Sequence, residues 1–303
     1  MKKKQLIYAI SGVLVAAAIW YFFIKKYDYR VTFETSNAPG VVYHKLSNWN
    51  IWPGSKAKKT QILSKQAFSK VALQIKENDS IMLIDWQFYS ISDSITKVYA
   101  CFKDKNHSIY QKFKLLFGKT DFVRKSIRIA KKIRNELKSH ELKYKVSTPE
   151  KATIPEKYCA CVSSSGKLLS KASQMIEKNP ILLDFLRLNE IPITEYPLLQ
   201  VTQWHQKKET IDFDFCFPIP KKKEYKLLKD IVLKTIPERE ALKIVFNGNY
   251  MLSDRAWFSM IAYTARNRIA IELYPVEFYY NDPHSGTSEL TWKTDVFFPL
   301  KQQ

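Results

Sequence analysis

Glu277 is the residue whose setting most invites chemistry. It lies in Tyr274-Pro275-Val276-Glu277-Phe278-Tyr279-Tyr280. This stretch alternates as a strand does, so Tyr274, Val276, Phe278 and Tyr280 share one face and Pro275, Glu277 and Tyr279 the other. A carboxylate among aromatic rings holds a cation by charge, and cation–π attraction adds about 0.5–2 kcal/mol. In an apolar cleft the same group also suits general-base work on water. The plainer alternative is a half-exposed strand glutamate paired with a lysine. Tyr250, Trp257, Tyr263 and Trp292 are candidate aromatic walls, and Tyr279 shares the glutamate's face.

Other chemistry-bearing residues are less pointed. Asp212 and Asp214 alternate with Ile211, Phe213 and Phe215, so both acids face one way. A paired-carboxylate site needs that, and so does the solvent face of an outer strand. Cys159-Ala160-Cys161 puts two thiols on one strand face, where they read as small buried hydrophobes. Neither these nor Cys101 and Cys216 form a Cys-x-x-Cys pair. His44, His107, His140, His205 and His284 never fall within four residues of one another; His284 alone follows the Asp282-Pro283 turn near Glu277. No metal and no cofactor is expected. Seven glycines, with no Walker or dinucleotide fingerprint, argue against phosphate-cradling loops.

The elements that must position Glu277 recur along the chain. Ile154-Pro155-Glu156 returns as Ile236-Pro237-Glu238 and Gly166 as Gly248, both 82 residues on. Tyr196-Pro197 returns as Tyr274-Pro275 after 78, and Phe217-Pro218 as Phe298-Pro299 after 81. Each unit, about 152–220 and 228–300, reads as a strand, a glycine turn, a helix and two strands. The first has strands at 158–162, 198–204 and 210–217, with a helical region from Lys167 broken at Asn179-Pro180. The second has strands at 241–246, 276–280 and 290–298, with a helix that starts on Ser253 as N-cap. Two such β-α-β-β units are expected to pack side by side, helices outside, with a ligand cleft between their sheets. The alignment sets Leu199 against Glu277, so the copies differ by a carboxylate.

Ser147-Thr148-Pro149 reads as the linker before this C-terminal domain (149–303). Residues 27–148 form another domain: a strand at 29–34, and a helix that Pro39 opens, that reaches Trp49 and that stops at Trp52-Pro53-Gly54. A meander at 67–75, 81–91 and 96–104 follows, turning at Asn78-Asp79-Ser80 and Ser92-Asp93-Ser94. A helix over 121–144 packs through Phe122, Ile129, Ile133, Leu137 and Tyr144. Its other face carries Arg124, Lys125, Arg128, Lys131, Lys132 and Lys138, either a solvated surface or a lipid-facing one. The fold class is α+β.

Two resemblances follow. Residues 150–303 resemble the gyrase-inhibitor-like (GyrI-like) effector-binding family, the ligand module of drug-sensing transcription activators. Asn247-Gly248-Asn249-Tyr250 is similar to its Gly-x-Tyr turn, Tyr274 to Pro283 to its Pro-x-Glu-x-Tyr-x-x-Asp-Pro strand and turn, and Glu289-Leu290 with Val296 to Leu300 to its closing strand. The resemblance implies that Glu277 meets cationic or polar ligands in an aromatic cleft, and that in some members it serves hydrolysis. Residues 27–148, through Pro39 to Trp49 and the order of elements, resemble the START-like (SRPBCC, polyketide-cyclase) helix-grip fold, an antiparallel sheet holding a long helix.

Charge and hydropathy set the partners. The chain has 303 residues and a net charge of +20, of which +15 remains outside residues 1–26. That suits an acidic protein or a lipid surface; no nucleic-acid partner is expected. Residues 6–24 are an uncharged apolar run between Lys2-Lys3-Lys4 and Lys25-Lys26, long enough to span a bilayer. Val15-Ala16-Ala17-Ala18 would suit a signal peptidase, but the run continues to Ile24, as a retained single-pass anchor would. Residues 1–26 are therefore read as the anchor, with the body outside the inner membrane. The sequence thus describes a membrane-anchored binder of small lipophilic, cationic ligands with Glu277 as counter-charge. The alternative is a hydrolase that uses Glu277 as general base.

Overall fold

Lys2–Ile19 winds into the first helix (α1), which continues as a π turn over Trp20–Ile24. The computed structural model describes residues 2–48, 58–77, 80–222, 224–283 and 286–301. Within it, Lys4–Ile24 is one helix of mean hydropathy 2.1 with none of its apolar window buried, long and apolar enough to cross a membrane.

The first compact unit contains β1 (Tyr29–Thr35), most of α2 (Pro39–Ser47), β2 (Lys58–Gln66), β3 (Lys70–Glu77), β4 (Ser80–Ser90), β5 (Thr96–Asp104), α3 (Ser108–Leu115) and most of α4 (Asp121–Glu141). Its strands form one antiparallel sheet in the order β1-β5-β4-β3-β2. Burial alternates along β3, β4 and β5, so Val71, Leu73, Ile84, Trp86, Ala100 and Phe102 point into one core. Phe122, Ile129, Ile133 and Leu137 of α4 close it, each buried apolar side chain worth about 1.5–3 kcal/mol.

Several boundaries differ from the sequence reading. The meander begins at Lys70 rather than 67, because Phe68 takes a left-handed φ of 56° in the turn after β2. That edge strand and α3 went unread. α4 ends at Glu141, not 144, since Tyr144 leaves the helix to pair with Gly248. Trp49, the stop at Trp52-Pro53-Gly54 and the turn residues Asn78 and Asp79 lie outside the described residues, as does His284.

The second unit takes in residues from Ser139 on, with β6 (Tyr144–Val146), β7 (Glu150–Ile154), β8 (Lys157–Lys167), α5 (Lys171–Leu188), β9 (Leu198–His205), β10 (Thr210–Pro218), β11 (Val232–Ile236), β12 (Arg239–Gly248), α6 (Asp254–Asn267), β13 (Val276–Tyr279) and β14 (Lys293–Pro299). The series strand, strand, helix, strand, strand occurs twice. Each Ile-Pro-Glu motif is the bend between its first two strands, and the strand before the bend leaves its own series: β7 pairs with β12, and β11 with β8.

The strands form one continuous sheet, β11-β8-β10-β9-β13-β14-β12, with β6 and β7 both on the far side of β12. This corrects the expected cleft between two sheets. β9 and β13 pair directly at the centre, Leu199 opposite Glu277, leaving no gap there. The helix of the first series is also unbroken: α5 runs through Pro180. Pro180 and Ile176 four residues before it are both exposed, so the carbonyl freed by the missing N–H can be hydrated.

Candidate functional site

The centre of this sheet presents Glu277 to the helices. Register places Leu199 and Glu277 opposite one another, and Tyr279, two residues on, shares that face. Glu277 is 0% exposed, not half-exposed. Around it converge the first residue of α5, the residue before α6 and one turn of α6.

The plainer reading of a lysine partner holds in chemistry, but at a buried position that the sequence analysis missed. Lys171 Nζ lies 2.9 Å from both Glu277 carboxylate oxygens and 2.5 Å from Ser253 Oγ. Its three protons thus meet three acceptors. The same ammonium stands 4.7 Å from the centre of the Trp257 ring. Trp257 in turn donates its Nε1–H to Glu277 Oε1 at 2.6 Å. Tyr279 donates its hydroxyl to Oε2, and Ser253 Oγ lies 3.0 Å from that oxygen and from the Tyr250 carbonyl. Burial, then the neighbouring carboxylate charge, push the Tyr279 phenol well above its ordinary range, so it stays a donor.

Local sequence explains the placements. Ser253 stands at the N-cap of α6 as expected, yet its side chain makes no cap hydrogen bond; its hydroxyl goes to the cluster instead. Asn249 caps the short turn before it, accepting from Met251 N at 2.9 Å. Gly248 allows the approach to that turn: its φ is +156°, and a Cβ there would stand 2.9 Å from both Phe246 and Tyr144 side chains.

The aromatic candidates divide. Trp257 and Tyr279 touch the carboxylate. The Tyr250 ring lies tilted against Tyr279 at 4.8 Å and against Trp292 at 5.5 Å, so Tyr250 and Trp292 lie in the next layer out. Tyr250 OH donates to the Asn281 carbonyl at 3.1 Å and accepts from its N–H at 3.0 Å, and burial raises that phenol to about 12. Trp292 donates to Thr287 Oγ1 at 3.0 Å. Tyr263 is not brought to the cluster: it sits six residues past Trp257, about two-thirds of a turn off that helix face, and is half-buried.

The remaining candidates resolve differently. Asp212 and Asp214 accept from Ser165 and Ser163, and Asp214 also from Lys234 at 2.5 Å, so they are paired outward rather than with each other. Cys161 is not a free buried thiol: it forms a disulfide with Cys216, its direct neighbour across β8 and β10. Cys159 stays free and buried, its thiol raised to about 12 by burial. Among the described residues no group of His, Cys, Asp and Glu is placed to hold a metal.

Residues 147–301, just over half of the chain, match the GyrI-like small molecule binding domain. Among solved structures, the C-terminal domain of EcmrR is 19% identical over 53% of this chain and 99% of that one, with a TM-score of 0.42. A structure of SAV2435 bound to tetraphenylphosphonium is 11% identical over 51% and 94%, TM-score 0.35. A hydrolase from Listeria innocua is 13% identical over 55% and 98%, TM-score 0.34. No curated protein matches the chain.

Proposed function

We propose, from the premise that this chain belongs to the GyrI-like small molecule binding domain family, that it is a membrane-anchored protein whose C-terminal domain takes lipophilic cations at Glu277. One observation carries the reading. A buried carboxylate, an indole face and a hydroxyl already hold an ammonium, and that ammonium is the chain's own Lys171. Charge, cation–π attraction and hydrogen bonding converge on one point, as recognition of a cation needs. A ligand cation would take the seat by displacing the lysine.

The geometry favours binding over hydrolysis. A general base needs an oxygen free to receive a proton from water. Both oxygens of Glu277 are occupied, by Lys171 and Trp257 on one and by Lys171, Ser253 and Tyr279 on the other.

Residues 6–24 serve in this reading as a retained anchor. The disulfide between Cys161 and Cys216 supports a body on the oxidising side of the membrane, where such bonds persist. For residues 27–148 the START-like reading is carried by the order strand, short helix, meander and long helix.

Titration of the full chain in detergent micelles with tetraphenylphosphonium tests the cation reading. Saturable binding that weakens at least tenfold in Glu277→Gln is expected, with circular dichroism confirming that the variant is folded. Equal affinity in a folded Glu277→Gln overturns the role of the carboxylate.

A further inference from the structure

The short helix α3, Ser108–Leu115, is amphipathic in an unusual sense. Ile109, Tyr110, Phe113, Leu116 and Phe117 are 52–78% exposed, and their spacing of one, three, three and one places them on one helical face. The rings of Phe113 and Phe117 meet at a tilt of 58° with centroids 5.1 Å apart, so the apolar patch is continuous. Lys112, at the edge of that face, is 2% exposed, and it explains why α3 stays where it is. Its Nζ donates to the carbonyls of Phe22 at 3.1 Å and Lys25 at 2.7 Å, the last carbonyls of the apolar N-terminal helix. Tyr21 OH donates in return to the Lys112 carbonyl at 3.3 Å. Asp28, 4.0 Å from Lys112 Nζ, is the nearby counter-charge.

We infer that α3 with Leu116 and Phe117 is a second membrane-contact element, a wedge that enters the interface of the bilayer at the point where the N-terminal helix leaves it. Two arguments select lipid as the occupant. The first is continuity: three hydrogen bonds tie α3 to residues 21, 22 and 25, so a bilayer crossed by residues 6–24 ends at the level of the exposed face of α3. The second is charge: between Lys105 and Thr120 the chain carries no acid, and Lys105, Lys114 and Lys119 are exposed there, a composition that suits anionic headgroups around an inserted apolar face. The wedge in place of α4 is the lipid-facing element of this unit. It rests on the reading of residues 6–24 as a retained anchor.

The test uses the full chain, with Cys101→Ser to remove the half-buried free thiol, reconstituted in vesicles of phosphatidylcholine and phosphatidylglycerol. Spin labels are placed at Phe117→Cys and, as a control, at Tyr89→Cys. Tyr89 is exposed at the far end of β4, seven residues and about 23 Å from the Met82 end that neighbours α3. Flotation reports the anchor, and collision with oxygen and with a water-soluble nickel complex reports the wedge. The expected result is co-flotation with vesicles and nickel access at position 117 at least tenfold below that at 89, with oxygen access raised. Flotation with equal nickel access at both positions overturns the wedge and leaves the anchor standing. A chain that stays at the bottom of the gradient overturns the anchor and the wedge with it.

Discussion

Lys171→Ala isolates the internal cation. The wild-type ammonium makes three hydrogen bonds of 2.5–2.9 Å to groups that are themselves buried. Removing one partner of such a pair strands the other charge, at about 3–5 kcal/mol. For a domain of this size that lowers the melting temperature by about 6–20 °C. The vacated volume has the shape of a lysine side chain beyond Cβ, so n-propylammonium replaces it atom for atom and propanol replaces all but the charge. At one hundred times its dissociation constant the ammonium returns about 2.7 kcal/mol, a recovery of about 5–11 °C, read by calorimetry. The same variant has no lysine to expel, so tetraphenylphosphonium should bind it more tightly. If displacement costs the wild type about 3 kcal/mol, the gain is about two orders of magnitude. Rescue by propanol equal to that by propylammonium, with phosphonium affinity unchanged from wild type, refutes the view of Lys171 as a tethered ligand.

Other expectations follow from the same domain. Tyr250 at about 12 and Tyr279 well above 10 are both raised in the folded state, so the unfolded chain loses these protons first; their stabilisation is intact below pH 10 and is lost as pH rises through about 12. Absorbance at 295 nm should therefore show these phenols ionising together with alkaline unfolding, and ionisation in the native fold near pH 10 would contradict it. The Cys161–Cys216 bond closes a loop of 55 residues, worth up to about 4 kcal/mol on chain-entropy grounds; thiol titration in denaturant should find two free thiols, and four would remove the bond. Gly248→Ala forces a side chain into the +156° conformation and against Phe246 and Tyr144, at about 1–3 kcal/mol, and a melting temperature equal to wild type would contradict this.

How much of the site was legible can be argued residue by residue. Glu277 and Tyr279 were placed on one strand face by alternation, because a period of two is local and survives any packing. Lys171 was not, although the signal existed: the 82-residue offset that links Gly166 to Gly248 also sets Lys171 against Ser253, a second charged position where the copies differ. What hid it was the reading of residues from 167 as a helix broken at Pro180, since a break resets which residues share a face. Sheet topology was out of reach for a different reason. Nothing in the sequence of β7 or β11 says that each pairs with the other series, since that choice is made by long-range contacts. The disulfide was hidden likewise, because only the pairing of β8 with β10 brings Cys161 beside Cys216.

The central pairing also explains why a carboxylate stands on one of the two central strands and not on both. Leu199 and Glu277 stand directly opposite across β9 and β13, where paired residues lie about 4.5–5.5 Å apart. A carboxylate at both positions would set two like charges side by side in a buried layer, and each would need its own cation from the helix above. The two series meet that constraint by dividing the roles. The first supplies the ammonium from the start of α5 and an apolar strand position; the second supplies the carboxylate from β13, with the hydroxyl and indole from the start of α6. Neither half can assemble this cluster by itself, so the asymmetry that reads in sequence as imperfect repetition is what places the Lys171–Glu277 pair at the middle of the sheet.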